Sequence, residues 1–175
     1  MSGKKRLALV FALCAAPVWA GMGDFAFTSI EGKPMNTAEW EGRPVLVVNT
    51  ASRCGFTPQY DDLQTLHERY GDKGLVVLAV PSDDFRQELD SAEAVKDFCA
   101  VNFDLTLPMT DLSRVRGSEA HPFYRWVQES TGFEPGWNFN KVLVSPEGEV
   151  VATYGSMVNP TAPKLVSEIE AQLAN

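Results

Sequence analysis

The sequence predicts an α/β domain in which a central mixed sheet is flanked by helices and preceded by a β-hairpin. Three observations carry that reading. Val45 to Val48 and Leu75 to Val80 are continuously apolar and mostly β-branched, the pattern of strands buried on both faces. Between them Tyr60, Leu63, Leu66 and Tyr70 recur at helical spacing, so a helix joins two strands into a β-α-β unit with a parallel core. Near the other end, Val142-Leu143-Val144 and Val150 to Tyr154 flank Ser145-Pro146-Glu147-Gly148-Glu149 and read as a hairpin.

The elements follow in order. Phe25 to Ile30 alternates apolar with small or polar residues, as a half-exposed strand does, and Glu31-Gly32-Lys33 turns it into a hairpin. After the strand at Val45, Thr57 is placed as N-cap, Pro58 in the first turn and Asp61 and Asp62 at the positive end of a helix that Gly71 closes. Pro81 to Glu88 then lies at the C-terminal end of the second strand, the edge of an α/β sheet where ligands bind. A helix from Asp90 to Phe103, capped by Asp90 or Ser91, has Val95, Phe98 and Asn102 along one side and carries Cys99. A strand is expected between this helix and the next. His121 before Pro122 reads as a capping or packing residue at the start of a helix ending near Ser130. Pro163 to Leu173 puts Leu165, Val166, Ile169 and Leu173 on one helical face. His67 lies off its helix's apolar stripe and has no second ligand spaced to make a metal site, so it reads as surface.

A chain of 175 residues suits one domain. Its net charge of -8 argues against a nucleic-acid partner, which would call for a basic face. Residues 1–20 read as a secretory signal peptide: Lys4, Lys5 and Arg6 form a charged start, Leu7 to Trp19 an apolar run, and Ala20 the small residue before cleavage. The apolar run is shorter than the roughly 20 residues of a membrane span, so no stable membrane insertion is expected. Cleavage leaves a domain at 21–175 with 12 basic and 23 acidic residues, a charge of -11. Cys14 leaves with the leader; Leu13 before it argues against lipoprotein processing, the lesser alternative. The mature chain then holds Cys54 and Cys99 in a compartment that permits disulfides, the periplasm.

Cys54 stands between a buried strand and a helix N-terminus, where aligned backbone N–H groups favour a thiolate. By itself that placement suits an inert packed thiol equally well. The wording around it is more specific: Asn49-Thr50-Ala51-Ser52-Arg53-Cys54-Gly55-Phe56-Thr57-Pro58-Gln59-Tyr60 resembles the peroxidatic motif of the glutathione peroxidase family in its cysteine form. Thr106-Leu107-Pro108-Met109, Ala120-His121-Pro122-Phe123-Tyr124 and Trp137-Asn138-Phe139 resemble three further motifs of that family, in the expected order, so the resemblance covers nearly the whole mature chain. It implies a thioredoxin-like fold, the same architecture that the element order describes. The family's loop P-C-N-Q-F-G-G-Q-E stands here as Pro81-Ser82-Asp83-Asp84-Phe85-Arg86-Gln87-Glu88, with its cysteine replaced and one residue deleted.

The resemblance implies a thiol peroxidase acting on hydrogen peroxide and organic or lipid hydroperoxides, with Cys54, Gln87, Trp137 and Asn138 as the catalytic set. The indole N–H and the two amides are suitable donors for the sulfur and the departing oxygen. A thiolate attacks the weak O–O bond directly, so neither metal nor cofactor is called for. Phe98-Cys99-x-x-Asn102-Phe103 resembles the segment holding the resolving cysteine in thioredoxin-dependent members, which makes Cys99 the thiol that condenses with a Cys54 sulfenic acid. A thioredoxin-like dithiol protein is then the implied reductant, and glutathione acting without Cys99 the alternative. The short Thr131 to Gly136 connection implies a monomer with an open site. A different class also stays open: a binding module or redox sensor in which Cys54 and Cys99 form a structural cross-link, worth about 3 to 4 kcal/mol by loop entropy. A thioredoxin-type reductase is disfavoured because Thr57 stands where Cys-x-x-Cys needs sulfur. Sequence position does not bring Cys54 and Cys99 face to face, so the helix at 90–103 is expected to open for them to bond.

Overall fold

A computed structural model describes residues 22 and 24–174; the leader expected at 1–20, with Cys14, lies outside the described residues. The N-terminal hairpin forms as expected, with β1 (Ala26–Thr28) antiparallel to β2 (Pro34–Asn36). The sheet that positions everything else has the order β4-β3-β5-β6. In it β3 (Val45–Thr50) runs parallel to β4 (Val76–Pro81) and antiparallel to β5 (Lys141–Val144), which pairs with β6 (Val150–Tyr154). All six residues of β3 and of β4 are buried, the burial their unbroken apolar runs require.

Alternation of side chains divides the core in two. Leu46, Val48, Val77, Ala79 and Leu143 face α1 (Gln59–Tyr70), α2 (Ala92–Phe103) and α4 (Pro163–Leu173), whose Leu63, Leu66, Val95, Leu165 and Ile169 complete that layer. Val45, Val47, Val76, Leu78, Val142 and Val144 face α3 (Pro122–Thr131) and the N-terminal hairpin through Phe123, Val127 and Phe27. Each such buried aliphatic or aromatic side chain contributes about 1.5–3 kcal/mol.

Three expectations are corrected. Thr57 is not the N-cap of α1: Pro58 takes that place without a side-chain cap, because the chain coils into tight turns from Cys54 onward, with Thr57 N donating to Cys54 O at 3.1 Å and Tyr60 N to Thr57 O at 3.0 Å. The strand expected between α2 and α3 is reduced to bridges, Met109 to Ala79 and Thr110 to Ser29. Pro108 has no N–H to extend a ladder, though its carbonyl accepts Ala79 N at 3.0 Å. On α2 the inward side is Val95 and Cys99, while Phe98 is half-buried and Asn102 faces out. His121 behaves as expected, accepting Phe123 N on Nδ1 at the α3 cap and stacking on Phe27 at 3.9 Å.

Candidate active site

Cys54 follows β3 at the C-terminal edge of the sheet and is 5% exposed. Its turn is fastened on both sides. Ser52 N donates to Glu88 Oε1 at 2.9 Å and Arg53 N to Gln87 O at 2.8 Å, so the loop after β4 is laced to the residues just before the cysteine. On the far side Phe56 N donates to the Cys54 sulfur at 3.5 Å. The Glu88 carboxyl is buried and its pKa is raised, mainly by burial, with bonds from Ser52 and Leu89 opposing.

The structure brings Gln87 and Asn138 together: Asn138 Nδ2 donates to Gln87 Oε1 at 3.0 Å. With its oxygen engaged, Gln87 has its own amide hydrogens unbonded among the described residues, so they could donate to a bound molecule. Asn138 is fully buried, and its Oδ1 has no partner. Trp137 is placed differently. Its ring is 42% exposed and packs 5.4 Å from Phe85, and its indole N–H makes no hydrogen bond among the described residues. Among the described residues none of Gln87, Trp137 and Asn138 donates to the Cys54 sulfur, and Phe56 N is its one donor.

The deletion in the loop before Gln87 is absorbed locally. Asp83 Oδ1 accepts Glu88 N at 3.1 Å, and Asp84 Oδ2 accepts Val115 N at 2.7 Å, so the two aspartates that replace the family's Asn-Gln pair hold the shortened loop. Arg86 then occupies a left-handed conformation, φ 57°, at a position where the family has glycine. On the other strap Phe139 is left-handed too, φ 58°. Two of the three non-glycine residues with positive φ among the described residues therefore sit beside Gln87 and Asn138, stored strain of the kind found where a site is preorganised.

Two functional braces were missed by sequence reasoning. Asn49, fully buried, donates from Nδ2 to Trp137 O at 2.9 Å and accepts Asn140 N on Oδ1 at 3.0 Å, pinning the Trp137–Phe139 turn to the strand that carries Cys54. A lone amide at the end of an apolar strand was the available signal. Lys141, also buried, donates to Gln59 Oε1 and to Val158 O at 2.6 Å, and burial lowers its pKa to about 8.

Cys99 shares the core layer with Cys54; both thiols are free and buried. Burial pushes the Cys99 pKa up to about 11, with Tyr60 opposing and Glu88 adding to the rise. Among the described residues no helix is long and apolar enough to cross a membrane, and no three His, Cys, Asp or Glu side chains are grouped to hold a metal ion.

Comparison with known proteins agrees with this geometry. The profile of the family described as glutathione peroxidase matches residues 22–128. The chain is 37% identical over 163 residues to a hydroperoxy fatty acid reductase of Synechocystis sp., covering 85% of this chain and 94% of that one. It is 41% identical over 151 residues to a glutathione peroxidase-like peroxiredoxin of Chlamydomonas reinhardtii, covering 83% and 92%. Among solved structures, Trgpx in apo form aligns at a TM-score of 0.71 and 26% identity over 89% of this chain and 97% of that one. A thioredoxin-family thiol:disulfide interchange protein from Chlorobium tepidum aligns at 0.64 over 87% and 95%, and at 14% identity it shares the thioredoxin-like fold alone.

Proposed function

The chain belongs to the glutathione peroxidase family, and from that premise we propose how its residues divide the work of reducing a hydroperoxide. The protein is a thiol peroxidase. The Cys54 thiolate attacks the outer peroxide oxygen, the O–O bond breaks, and the departing alkoxide takes a proton to leave as an alcohol, or as water from hydrogen peroxide. Gln87, Asn138 and Trp137 supply N–H groups to the reacting oxygens. The observation that carries this assignment is the Gln87–Asn138 bond at 3.0 Å, which joins two distant loops beside the fastened Cys54 turn and leaves the Gln87 amide free to donate.

Cys99 then attacks the Cys54 sulfenic acid: an S–S bond forms, the S–O bond breaks, and water leaves with the Cys99 proton. A thioredoxin-like dithiol protein reduces the disulfide by exchange, taking the oxidation onto its own pair of thiols. Free thiols at both positions are the starting point of this cycle. Organic and fatty-acid hydroperoxides fit a site whose rim includes the exposed Trp137 and the half-buried Phe56, and one relative carries the name hydroperoxy fatty acid reductase. The protein acts as an exported monomer in the periplasm after loss of residues 1–20. The test is turnover of hydrogen peroxide and of a fatty-acid hydroperoxide by the mature protein, with thioredoxin or glutathione as reductant. Sustained turnover with thioredoxin and little with glutathione is expected; equal turnover with glutathione by a Cys99→Ser variant contradicts the two-cysteine cycle.

A further inference from the structure

The Trp137 side chain has the loosest hold of the donor set. Its ring is 42% exposed and its N–H makes no hydrogen bond among the described residues, so packing alone sets where that N–H points. A donor stabilises developing charge only when it is already aimed at the atom that will carry it. Gln87 and Asn138 are aimed by their mutual bond at 3.0 Å. At Trp137 that restraint is replaced by a bracket assembled from separate segments of the chain.

Phe85, just ahead of Gln87 on the loop after β4, is 9% exposed, and its ring centre lies 5.4 Å from that of Trp137 with the planes 48° apart. The Arg116 guanidinium carbon lies 5.4 Å from the centre of the same Phe85 ring, within reach of the attraction between a cation and an aromatic face. Arg116 is held in turn from both loops of the site. Asp84 Oδ2, beside Phe85, accepts Val115 N at 2.7 Å and Arg116 N at 3.2 Å. Glu134, on the strap that leads into Trp137, pairs through Oε1 with Arg116 Nη2 at 3.7 Å and accepts Gly117 N on Oε2 at 3.0 Å. Two carboxylates thus clamp the segment 115–117, one from the loop that carries Gln87 and one from the strap that carries Trp137 and Asn138. The Arg116 and Glu134 side chains are 45% and 31% exposed, and so open an ion pair adds little to global stability. What the bracket sets is the direction of the ring at its end.

We propose that Phe85 and Arg116 are positioning residues for peroxide attack, holding the Trp137 indole at the mouth of the site through the contact between the two rings. Phe85 restrains the indole directly. Arg116 acts one step further away, fixing Phe85 and tying it to both loops.

The inference rests on Trp137 belonging to the donor set. The experiment is a double-mutant cycle on the reduced mature protein, reading the rate at which hydrogen peroxide consumes the Cys54 thiol by quenched alkylation and mass spectrometry. Phe85→Leu keeps an apolar side chain and removes the flat ring; Trp137→Phe keeps the ring and removes the N–H. The bracket predicts that Phe85→Leu slows thiol loss at least about fivefold in the wild-type background and less than about twofold in the Trp137→Phe background, because groups that act through one another do not add. Arg116→Gln, an exposed change that leaves the core intact, follows the same pattern with a slowing of about two- to fivefold, and it decides the matter if Phe85→Leu does not fold. Equal slowing in both backgrounds, or none in either, overturns the bracket while leaving Trp137 as a donor. A Trp137→Phe variant that loses the thiol at the wild-type rate overturns that donor assignment, and the bracket with it.

Discussion

The two cysteines sit in one core layer, yet the segments that hold them are built to opposite ends. Cys54 lies in a turn laced by Ser52 N to Glu88, Arg53 N to Gln87 O and Thr57 N to Cys54 O, and it leads into α1, which buries six of its twelve residues. Cys99 rides on α2, which is equally long and buries only Val95 and Cys99 itself. Its ends rest on Ser91 Oγ, which accepts Ala94 N at 3.2 Å, and on Asp104 in a left-handed conformation, φ 48°. Val101 on its outer side is 83% exposed, and a groove of about 370 Å³ runs beside Cys99 between Ile30, Leu105 and Met109. A helix of a dozen residues is marginal without tertiary packing, so α2 is the segment poised to open at low free energy. The difference matches the proposed division of labour, in which a preorganised turn attacks peroxide and a loosely docked helix delivers the second sulfur.

The largest effect expected of any substitution follows from the turn. Cys54→Ser abolishes turnover in a peroxide-consumption assay, whereas Cys99→Ser still consumes one equivalent but loses at least tenfold of its thioredoxin-driven turnover. Loosening α2 comes next. Val95→Ala removes one of its two buried anchors, at a cost of about 1–2 kcal/mol, and raises amide exchange across α2 far more than across α1.

With the folded Cys99 pKa raised to about 11 by burial, alkylation of the reduced protein at pH 8 spares Cys99. The same shift means that the Cys99 thiol stabilises the fold fully below its unfolded pKa near 9, and that this stability is lost as pH rises through 11. Chemical denaturation of wild type and Cys99→Ser across that window measures the difference. The smallest effect is expected at the helix cap: Ser91→Ala costs about 1 kcal/mol or less in global stability and speeds disulfide formation a few-fold, both within reach of stopped-flow trapping.

The two central strands were legible because Val45 to Val48 and Leu75 to Val80 announce full burial by composition alone, and the His121-Pro122 pair announces α3. Legibility ended where a partner lies far along the chain. The burial of Glu88 shows only once Ser52, 36 residues away, is found bonded to it, and the bracing by Asn49 only once Asn140 is. On α2 the sequence favoured Phe98 as the buried side chain, but Phe98 instead packs partly on Phe103 at 5.8 Å while the smaller Cys99 fits against Tyr60. The deletion before Gln87 looked damaging on paper. Its repair depends on Asp83 and Asp84 reaching Glu88 and Val115, contacts no pattern along the sequence displays.

The central claim, that a fixed Cys54 and a mobile Cys99 meet during the cycle, is tested most directly by hydrogen exchange with peptide mapping, before and after one equivalent of peroxide. The account predicts an intramolecular Cys54–Cys99 link accompanied by raised exchange confined to residues 90–103, with the turn at 52–57 and α1 as protected as before. A link formed without any change in that segment, or peroxide consumed with both thiols remaining unlinked, contradicts it.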